Sequence, residues 1–193
     1  EHAGQPAERH PAAVRAGRPA AAAGGGGMIR LPVEPLTAEA FAPYGRVVEL
    51  PSRPQDAAGP GWRWWAETAY LVGDGRAWGV GYLDLRPAGG QFDWAERHLR
   101  TQEAVFATSA DLLVYVAPAD HPEDPARLPD LDTFRVFRVP PGGGVVMDRA
   151  VWHGAPLAQQ PTRALVLILE GTGRHDVTMV RFPQGPLGIG EEG

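Results

Sequence analysis

Two short, widely separated segments contain the side chains best suited to chemistry. The first runs from Glu96 to Glu103 and contains His98, and the second runs from Asp148 to His153. Both lie beside apolar residues of the kind that form strands. Together they could bring imidazoles, guanidinium groups and carboxylates into the mouth of one barrel. That combination suggests a reaction without identifying it, since His and acidic residues are the usual proton carriers of enzymes.

The composition is that of one ordinary globular domain. The chain has 193 residues, of which 44% are hydrophobic and 21% are charged. This length is sufficient for a hydrophobic core that is stable without disulfides or metal ions. A net charge of -5 argues against a nucleic-acid partner, which favours a basic surface. No apolar run is long enough to cross a bilayer. We therefore expect a cytoplasmic protein with neither a nucleic-acid nor a membrane partner.

Missing residue types exclude several kinds of catalysis. There is no Cys, and all 18 basic residues are Arg because Lys does not occur. Disulfides, thiolate nucleophiles, Schiff bases and a Walker-type Lys are thereby excluded. An anionic substrate has to be held by Arg, His or backbone amides, and the planar guanidinium of Arg suits a carboxylate well.

The N-terminal part predicts a tail followed by a strand and a helix. Residues 1–27 almost lack large apolar side chains, so we expect a disordered extension. Residues 29–33 are expected to form an edge strand, because Pro32 cannot donate to a central ladder. Thr37 is expected to cap a short helix over residues 38–44.

From residue 46 onward, the pattern is one of short strands separated by Gly- and Pro-rich turns. Such a series favours a β-sandwich or β-barrel, which we expect over residues 28–183. Residues 51–60 are expected to form a loop, residues 125–128 a possible helix, and residues 184–193 a flexible tail. The expected strands are 46–50, 63–71, 78–85, 96–98, 103–108, 111–116, 133–139, 144–147, 164–169 and 176–181.

The spacing within the two reactive segments resembles the paired motifs of the cupin superfamily. Glu96-x-His98-x4-Glu103 keeps the frame of the first motif, with Glu96 in place of its first His. Gly142-x5-Asp148-x-Ala150-x2-His153 keeps the frame of the second, with Asp148 and Ala150 in place of its inner Pro and Gly.

Within that superfamily the chain resembles the ureidoglycolate lyase family. The resemblance covers residues 28–160 and lies in four segments, namely residues 35–45, 96–102, 129–137 and 149–153. It implies an all-β cupin barrel (a double-stranded β-helix) with a short N-terminal helix, in a homodimer. It also implies cleavage of ureidoglycolate to glyoxylate and urea, a step of allantoin and purine nitrogen catabolism that needs no cofactor. Residues 62–90 match the family poorly. Because this segment could line the pocket, the identity of the substrate stays open.

The resemblance implies roles for residues of both segments. Cleavage needs a base for the substrate hydroxyl and an acid for the leaving nitrogen, and it needs a cation for the substrate carboxylate. The candidate catalytic residues are His98, His153 and Glu103. The candidate substrate-binding residues are Arg149, Arg97, Gln102 and Trp152.

A divalent metal is the main chemical alternative. His98, Glu103 and His153 would form a set of two His and one carboxylate, as in iron or manganese sites with open positions. On one regular strand His98 and Glu103 would face opposite sides, so the set requires a bend at residues 99–101. A metal-dependent cupin oxygenase or isomerase of a small organic acid therefore remains open, as does a cupin that binds a small molecule without catalysis.

Overall fold

The computed structural model describes residues 28–124 and 127–192, and these are almost entirely β-strand and loop. The expectation for residues 1–27 lies outside this range, as does part of the possible helix at 125–128. No helix among the described residues is long and apolar enough to span a membrane. The strands are β1 Arg30–Pro35, β2 Gly45–Val48, β3 Ala57–Gly59, β4 Trp62–Trp64, β5 Trp78–Leu85, β6 Gln91–Phe92, β7 Trp94–Arg97, β8 Glu103–Ala107, β9 Leu112–Ala117, β10 Arg135–Val139, β11 Gly144–Met147, β12 Trp152–His153, β13 Thr162–Leu169, β14 Thr178–Arg181 and β15 Leu187–Glu192.

The described strands form two large sheets and one hairpin. The first sheet has eight strands in the order β14-β7-β12-β9-β10-β1-β15-β6. The second has five strands in the order β2-β11-β8-β13-β5, and β3 pairs only with β4. The eight-stranded sheet is strongly curled into a half-barrel. The expected all-β, cupin-like fold is thereby confirmed.

The curled sheet is buried on both faces at its central strand, β9. Val114 of β9 belongs to a hydrophobic cluster between the two large sheets. Its neighbour Tyr115 belongs to a second cluster, on the opposite face of the same strand. Successive side chains of a strand point to opposite faces, so a strand with both faces covered is apolar at every position. This explains the continuous apolar run of β9.

The helices are shorter than the sequence suggests. Helix α1 is Ala38–Phe41, and the Thr37 hydroxyl accepts a hydrogen bond from the Ala40 N–H at 3.1 Å, so the predicted cap is confirmed. Phe41 is fully buried and packs against Phe137 of β10. A second short helix, α2 (Thr172–His175), and a 3₁₀ turn, Leu131–Thr133, were not expected.

The prediction that β1 is an edge strand is wrong. β1 lies between β10 and β15 and pairs with both in parallel. Pro32 is accommodated because the register with β15 shifts between Leu31 and Val33. A bulge removes the need for the N–H that Pro lacks.

Other boundaries also differ from expectation, most of them by one or two residues. Part of the predicted loop 51–60 forms β3, and the predicted strand 63–71 is reduced to β4. The segment 184–193, expected to be a flexible tail, contains β15, which pairs with β1 and β6. Its Leu187 is buried in the second hydrophobic cluster, and that burial stabilises the strand.

Candidate active site

Two imidazoles lie side by side between the large sheets. His98 directly follows β7, and His153 ends β12, where its cross-strand neighbour is Glu96. The ring centroids are 5.1 Å apart, and only 3% and 2% of the two residues is exposed. The two motif segments of the sequence are therefore brought together as predicted.

Each imidazole is held in one orientation by a backbone carbonyl. Nδ1 of His98 lies 2.8 Å from the Asp176 carbonyl oxygen, and Nδ1 of His153 lies 2.9 Å from that of Val151. A carbonyl oxygen only accepts, so each Nδ1 donates. The two Nε2 atoms therefore face the space between the sheets. Nε2 of His153 is buried and has no hydrogen-bond partner among the described residues.

Glu103 of the second sheet contacts both imidazoles through one oxygen. Its Oε2 lies 3.2 Å from Nε2 of His98 and 3.7 Å from Nε2 of His153. Burial opposes ionisation of this carboxyl, but the neighbouring imidazoles outweigh it and lower its pKa to about 2. Burial likewise disfavours the His153 imidazolium, yet Glu103 outweighs it and raises the pKa of His153. The site thus holds an ionised carboxylate beside an imidazole that is readily protonated.

Glu96 is a second carboxylate beside the imidazoles, on the same sheet as both of them. Its carboxyl oxygens and the ligand atoms of His98 and His153 lie within 4.8 Å of one another. Burial raises the pKa of Glu96, with the imidazoles opposing and Glu103 assisting. Two carboxyls whose pKa values are moved in opposite directions are a common acid–base arrangement. The sequence signal for Glu96 was its position in place of a motif His.

These donor atoms suit a divalent metal ion. The structure groups Glu96 with the two histidines, whereas the set expected from the sequence contained Glu103. Two His and one carboxylate form a recognised ligand set. A metal-bound imidazole usually donates its other N–H to a carbonyl, as Nδ1 of both histidines does here. Nε2 of His153 has no hydrogen-bond partner among the described residues, so its lone pair is available to a metal ion. Glu96, His98 and His153 could therefore hold such an ion.

The bend that the sequence required between His98 and Glu103 is present. β7 ends at Arg97 and β8 begins at Glu103, with a loop between them. The Asp176 carboxylate accepts hydrogen bonds from the Leu99 N–H at 3.0 Å and the Arg100 N–H at 2.9 Å. Because the Asp176 carbonyl also binds His98, one residue fixes both the bend and the ring. Nothing in the sequence pattern had indicated this role for Asp176.

Gln102 joins the site to the loop before β5. Its side-chain oxygen accepts from the Val72 N–H at 2.7 Å, and its amide donates to Asp148 at 2.6 Å. These bonds occupy the amide. The substrate contact expected of Gln102 stays a prediction, in which a ligand would have to share the amide with Val72 and Asp148.

Arg97 and Trp152 point away from the imidazoles, because strand neighbours face opposite sides. Arg97 is fully buried and donates to the carbonyl oxygens of Asp120, His121 and Asp124. Its guanidinium lies 4.2 Å from the centre of the Trp152 ring. Both residues belong to the packing beneath the site, so the structure does not support the substrate contacts expected of them.

Arg149 remains available for a ligand. It lies in the turn between β11 and β12, where the next residue, Ala150, donates its N–H to the His98 carbonyl at 2.7 Å. The Arg149 side chain is exposed. Among the described residues it forms no hydrogen bond or ion pair.

The space between the sheets is open towards β14 and β5. Met179 of β14 is the cross-strand neighbour of Glu96 and is 58% exposed. On the second sheet, Ile168 is the cross-strand neighbour of Glu103, and the exposed Gly79 follows it on β5. A ligand could approach the imidazoles from this side.

Comparison with known proteins identifies the family. Residues 28–188 match the model of the ureidoglycolate lyase family. Ureidoglycolate lyase of Rhodobacter capsulatus is 35% identical over 147 residues, which cover 72% of this chain and 86% of that protein. A Neisseria meningitidis protein of known crystal structure is 15% identical, with a TM-score of 0.34 over 52% of this chain and 82% of that chain. The chain belongs to the ureidoglycolate lyase family and is a lyase.

Proposed function

We propose that the protein cleaves ureidoglycolate into glyoxylate and urea, without need of a cofactor. In this reaction a base removes the hydroxyl proton, the carbon–oxygen double bond forms, and the carbon–nitrogen bond breaks. An acid protonates the leaving urea nitrogen. The observation that supports this assignment best is the convergence of two Nε2 atoms on one oxygen of Glu103.

His98 is proposed as the base and His153 as the acid. Nδ1 of His98 donates to the Asp176 carbonyl, so Nε2 is the nitrogen proposed to take the hydroxyl proton, which it can then donate to Glu103. Glu103 raises the pKa of His153, which favours a proton on the nitrogen that has to donate it. Glu103 touches both rings and can return the proton from base to acid after each turnover.

The substrate carboxylate is proposed to bind Arg149. The exposed guanidinium of Arg149 forms no ion pair among the described residues, and a guanidinium binds both oxygens of a carboxylate at once. Arg97, the other candidate, is occupied by three backbone carbonyls. The proposed small-molecule partner is accordingly a carboxylate. A second copy of the chain is proposed as a further partner, from the family resemblance.

A metal-dependent cupin reaction on a small organic acid, such as oxygenation or isomerisation, is the alternative. It is favoured by the closeness of Glu96, His98 and His153. A bound divalent ion would supply Lewis acidity towards a substrate oxygen. The two proposals differ at His153, since Nε2 cannot carry a proton and bind a metal together. Elemental analysis of protein purified without added ions distinguishes them, because a stoichiometric redox metal would favour the alternative.

The activity is tested by following glyoxylate release from ureidoglycolate. Wild-type protein should exceed the spontaneous rate, and His153→Ala should lower kcat by about 10²-fold or more. His121→Ala is the matched control, since His121 is exposed and interacts with Glu123. A wild-type rate equal to the spontaneous one would contradict the proposed function.

A further inference from the structure

Two glycines leave part of the inner face of β5 without side chains. Alternate residues of a strand share a face, and Leu83 and Leu85 of β5 pack against the hydrophobic cluster between the two large sheets. Gly79 and Gly81 continue the same alternation and therefore lie on the face that lines the space between the sheets. This face of β5 is apolar at one end and bare backbone at the other.

The usual structural reasons for a glycine within a strand are absent at both positions. A bulge is excluded because the register of β5 with β13 is unbroken, and neither glycine has a positive φ. Among the described residues, a Cβ atom at Gly79 would meet only the Ile168 carbonyl oxygen, at 3.4 Å. At Gly81 it would meet only the Val166 carbonyl oxygen, at 3.9 Å. Glycine weakens a strand, and the remaining common reason for it is the close approach of another group to the backbone.

Gly79 is the last position of a row that crosses four strands of the second sheet. The members of this row, in order from β11 to β5, are Met147, Glu103, Ile168 and Gly79. Directly paired residues of neighbouring strands point to the same face, and the strands lie about 4.8 Å apart, so the backbones of Glu103 and Gly79 are about 10 Å apart. The row leads from the carboxylate that contacts both imidazoles to the bare backbone of β5.

A buried polar atom faces the same space and lacks a partner. Only 2% of His153 is exposed, and its Nε2 has no hydrogen-bond partner among the described residues. This atom lies 3.7 Å from Oε2 of Glu103, the second member of the row. A buried polar atom without a partner costs free energy, and a ligand in this space would remove that cost by bonding to it.

The two ends of the row suit different parts of a ligand. Arg149, the proposed partner of the substrate carboxylate, follows Met147 by two residues and is exposed. At the opposite end, Ile168 and Gly79 carry no charge. A substrate whose carboxylate binds Arg149, and whose reacting carbon lies at Glu103, therefore extends its nitrogen substituent towards β5.

We propose that Gly79 and Gly81 form the surface that receives the ureido group of the substrate and so determine specificity for it. This inference rests on the proposed function and deepens it. A ureido group is planar and can lie flat on a backbone that has no Cβ atoms. The ligand class is a small carboxylic acid whose α-carbon carries a planar ureido or amide group. A side chain at Gly79 would occupy the place of that group.

The binding of two acids that do not react tests the assignment. Ureidoacetate carries the ureido group but lacks the hydroxyl that the reaction requires, and glycolate lacks the ureido group. In NMR titrations, wild-type protein should bind ureidoacetate more tightly than glycolate. Gly79→Val should weaken ureidoacetate binding by about 10-fold or more and leave glycolate binding unchanged. Equal binding of the two acids by the wild type, or equal weakening of both in the variant, would overturn the proposal.

Stability and kinetics distinguish a specificity role from a structural one. Gly79→Ala should raise the melting temperature by about 1–4 °C, because glycine weakens a strand. The same variant should raise KM for ureidoglycolate by about 3-fold or more, with a smaller change in kcat. Gly190→Ala is the matched control, since a Cβ atom there also meets a carbonyl oxygen at 3.4 Å, that of Leu31 in the other sheet, and its KM should be unchanged.

The outcomes separate this inference from the proposed function. A lower melting temperature for Gly79→Ala, or a KM equal to that of the wild type, would overturn the role of the glycines while the reaction itself stands. A wild-type protein that cleaves no ureidoglycolate, yet binds ureidoacetate and loses it in Gly79→Val, would contradict the proposed reaction and support the binding surface.

Discussion

At the scale of single residues, Glu103 determines the electrostatics of the site. Its ionised carboxylate stabilises positive charge on His153, and the neighbouring imidazoles stabilise the carboxylate in return. The depressed pKa of about 2 means that this contribution to stability is complete above the ordinary carboxyl pKa of 4.5. It is lost as the pH falls through the folded-state value.

Glu103→Gln should therefore lower the free energy of unfolding at neutral pH. The variant should also lose less of its stability than the wild type when the pH is lowered. The free energy of unfolding of the variant should approach that of the wild type as the pH falls from 4.5 towards 2. Denaturant unfolding at a series of pH values measures this, with Glu39→Gln, at an exposed position, as the control. A difference between the proteins that does not change with pH would contradict the coupling.

Substitution of Arg97 and of Arg149 should have opposite effects on stability and on substrate binding. Arg97→Ala removes a fully buried guanidinium that donates to three backbone carbonyls and contacts Trp152, so we expect the free energy of unfolding to fall by about 3 kcal/mol or more. Arg149→Ala should leave the melting temperature unchanged and raise KM for a carboxylate substrate strongly, with a smaller effect on kcat. Thermal unfolding and steady-state kinetics of both variants test this pair. The reverse pattern would mean that the roles are exchanged.

At the scale of elements, the bend between β7 and β8 depends on α2. The Asp176 N–H donates to the Thr172 carbonyl at 2.9 Å, so the short helix positions the carboxylate that accepts from Leu99 and Arg100. β7 and β8 belong to different sheets, so His98 and Glu103 come together only because the bend between these strands is held in place.

Asp176→Ala should lower kcat more than it changes KM, because it frees the bend that carries His98. Asp176→Asn retains one oxygen acceptor and should recover part of the loss. Ring ¹⁵N shifts of His98 should reveal a change in tautomer or environment in the Ala variant, whereas Asp93→Asn, at a surface ion pair with Arg181, should leave them unchanged. Unaltered His98 shifts in Asp176→Ala would contradict this positioning role.

The turn from β11 to β12 contains a strained residue. Ala150 has a φ of 64°, in the left-handed region that favours Gly. The cupin motif has Gly at this position, which the sequence lacks. Ala150→Gly should raise the free energy of unfolding by about 0.5–1 kcal/mol, measured by denaturant unfolding. Destabilisation would show that the methyl group, which is buried, contributes more than the strain costs.

Some elements follow from local pattern, and others depend on distant partners. The predicted bounds of β5 and β11 agree with the structure, because apolar runs between Gly- and Pro-rich turns define strand ends. The position of β1 inside the sheet and the pairing of β15 depend on partners far away in the chain. Pro32 and the glycines near the C-terminus indicated an edge and a tail, but sheet pairing overrode both signals.

At the scale of the whole molecule, the centre of the curled sheet is buried on both faces, and this limits prediction of the site. The sequence correctly brought His98, Glu103 and His153 together through motif spacing. Strand alternation places Arg97 and Trp152 on the face opposite to His98 and His153, but the sequence does not show that this second face is a core and not part of the site. Asp176 reaches the site only through the chain's return after β13.

The proposed cleavage of a carbon–nitrogen bond at the His98, Glu103 and His153 cluster is tested by measuring both of its products. Urea and glyoxylate are determined together during turnover of ureidoglycolate by purified wild-type protein. We predict equal initial rates for both products, well above the spontaneous reaction and lowered together by Glu103→Gln. Glyoxylate formed without urea, or both products at the spontaneous rate, would contradict the assignment.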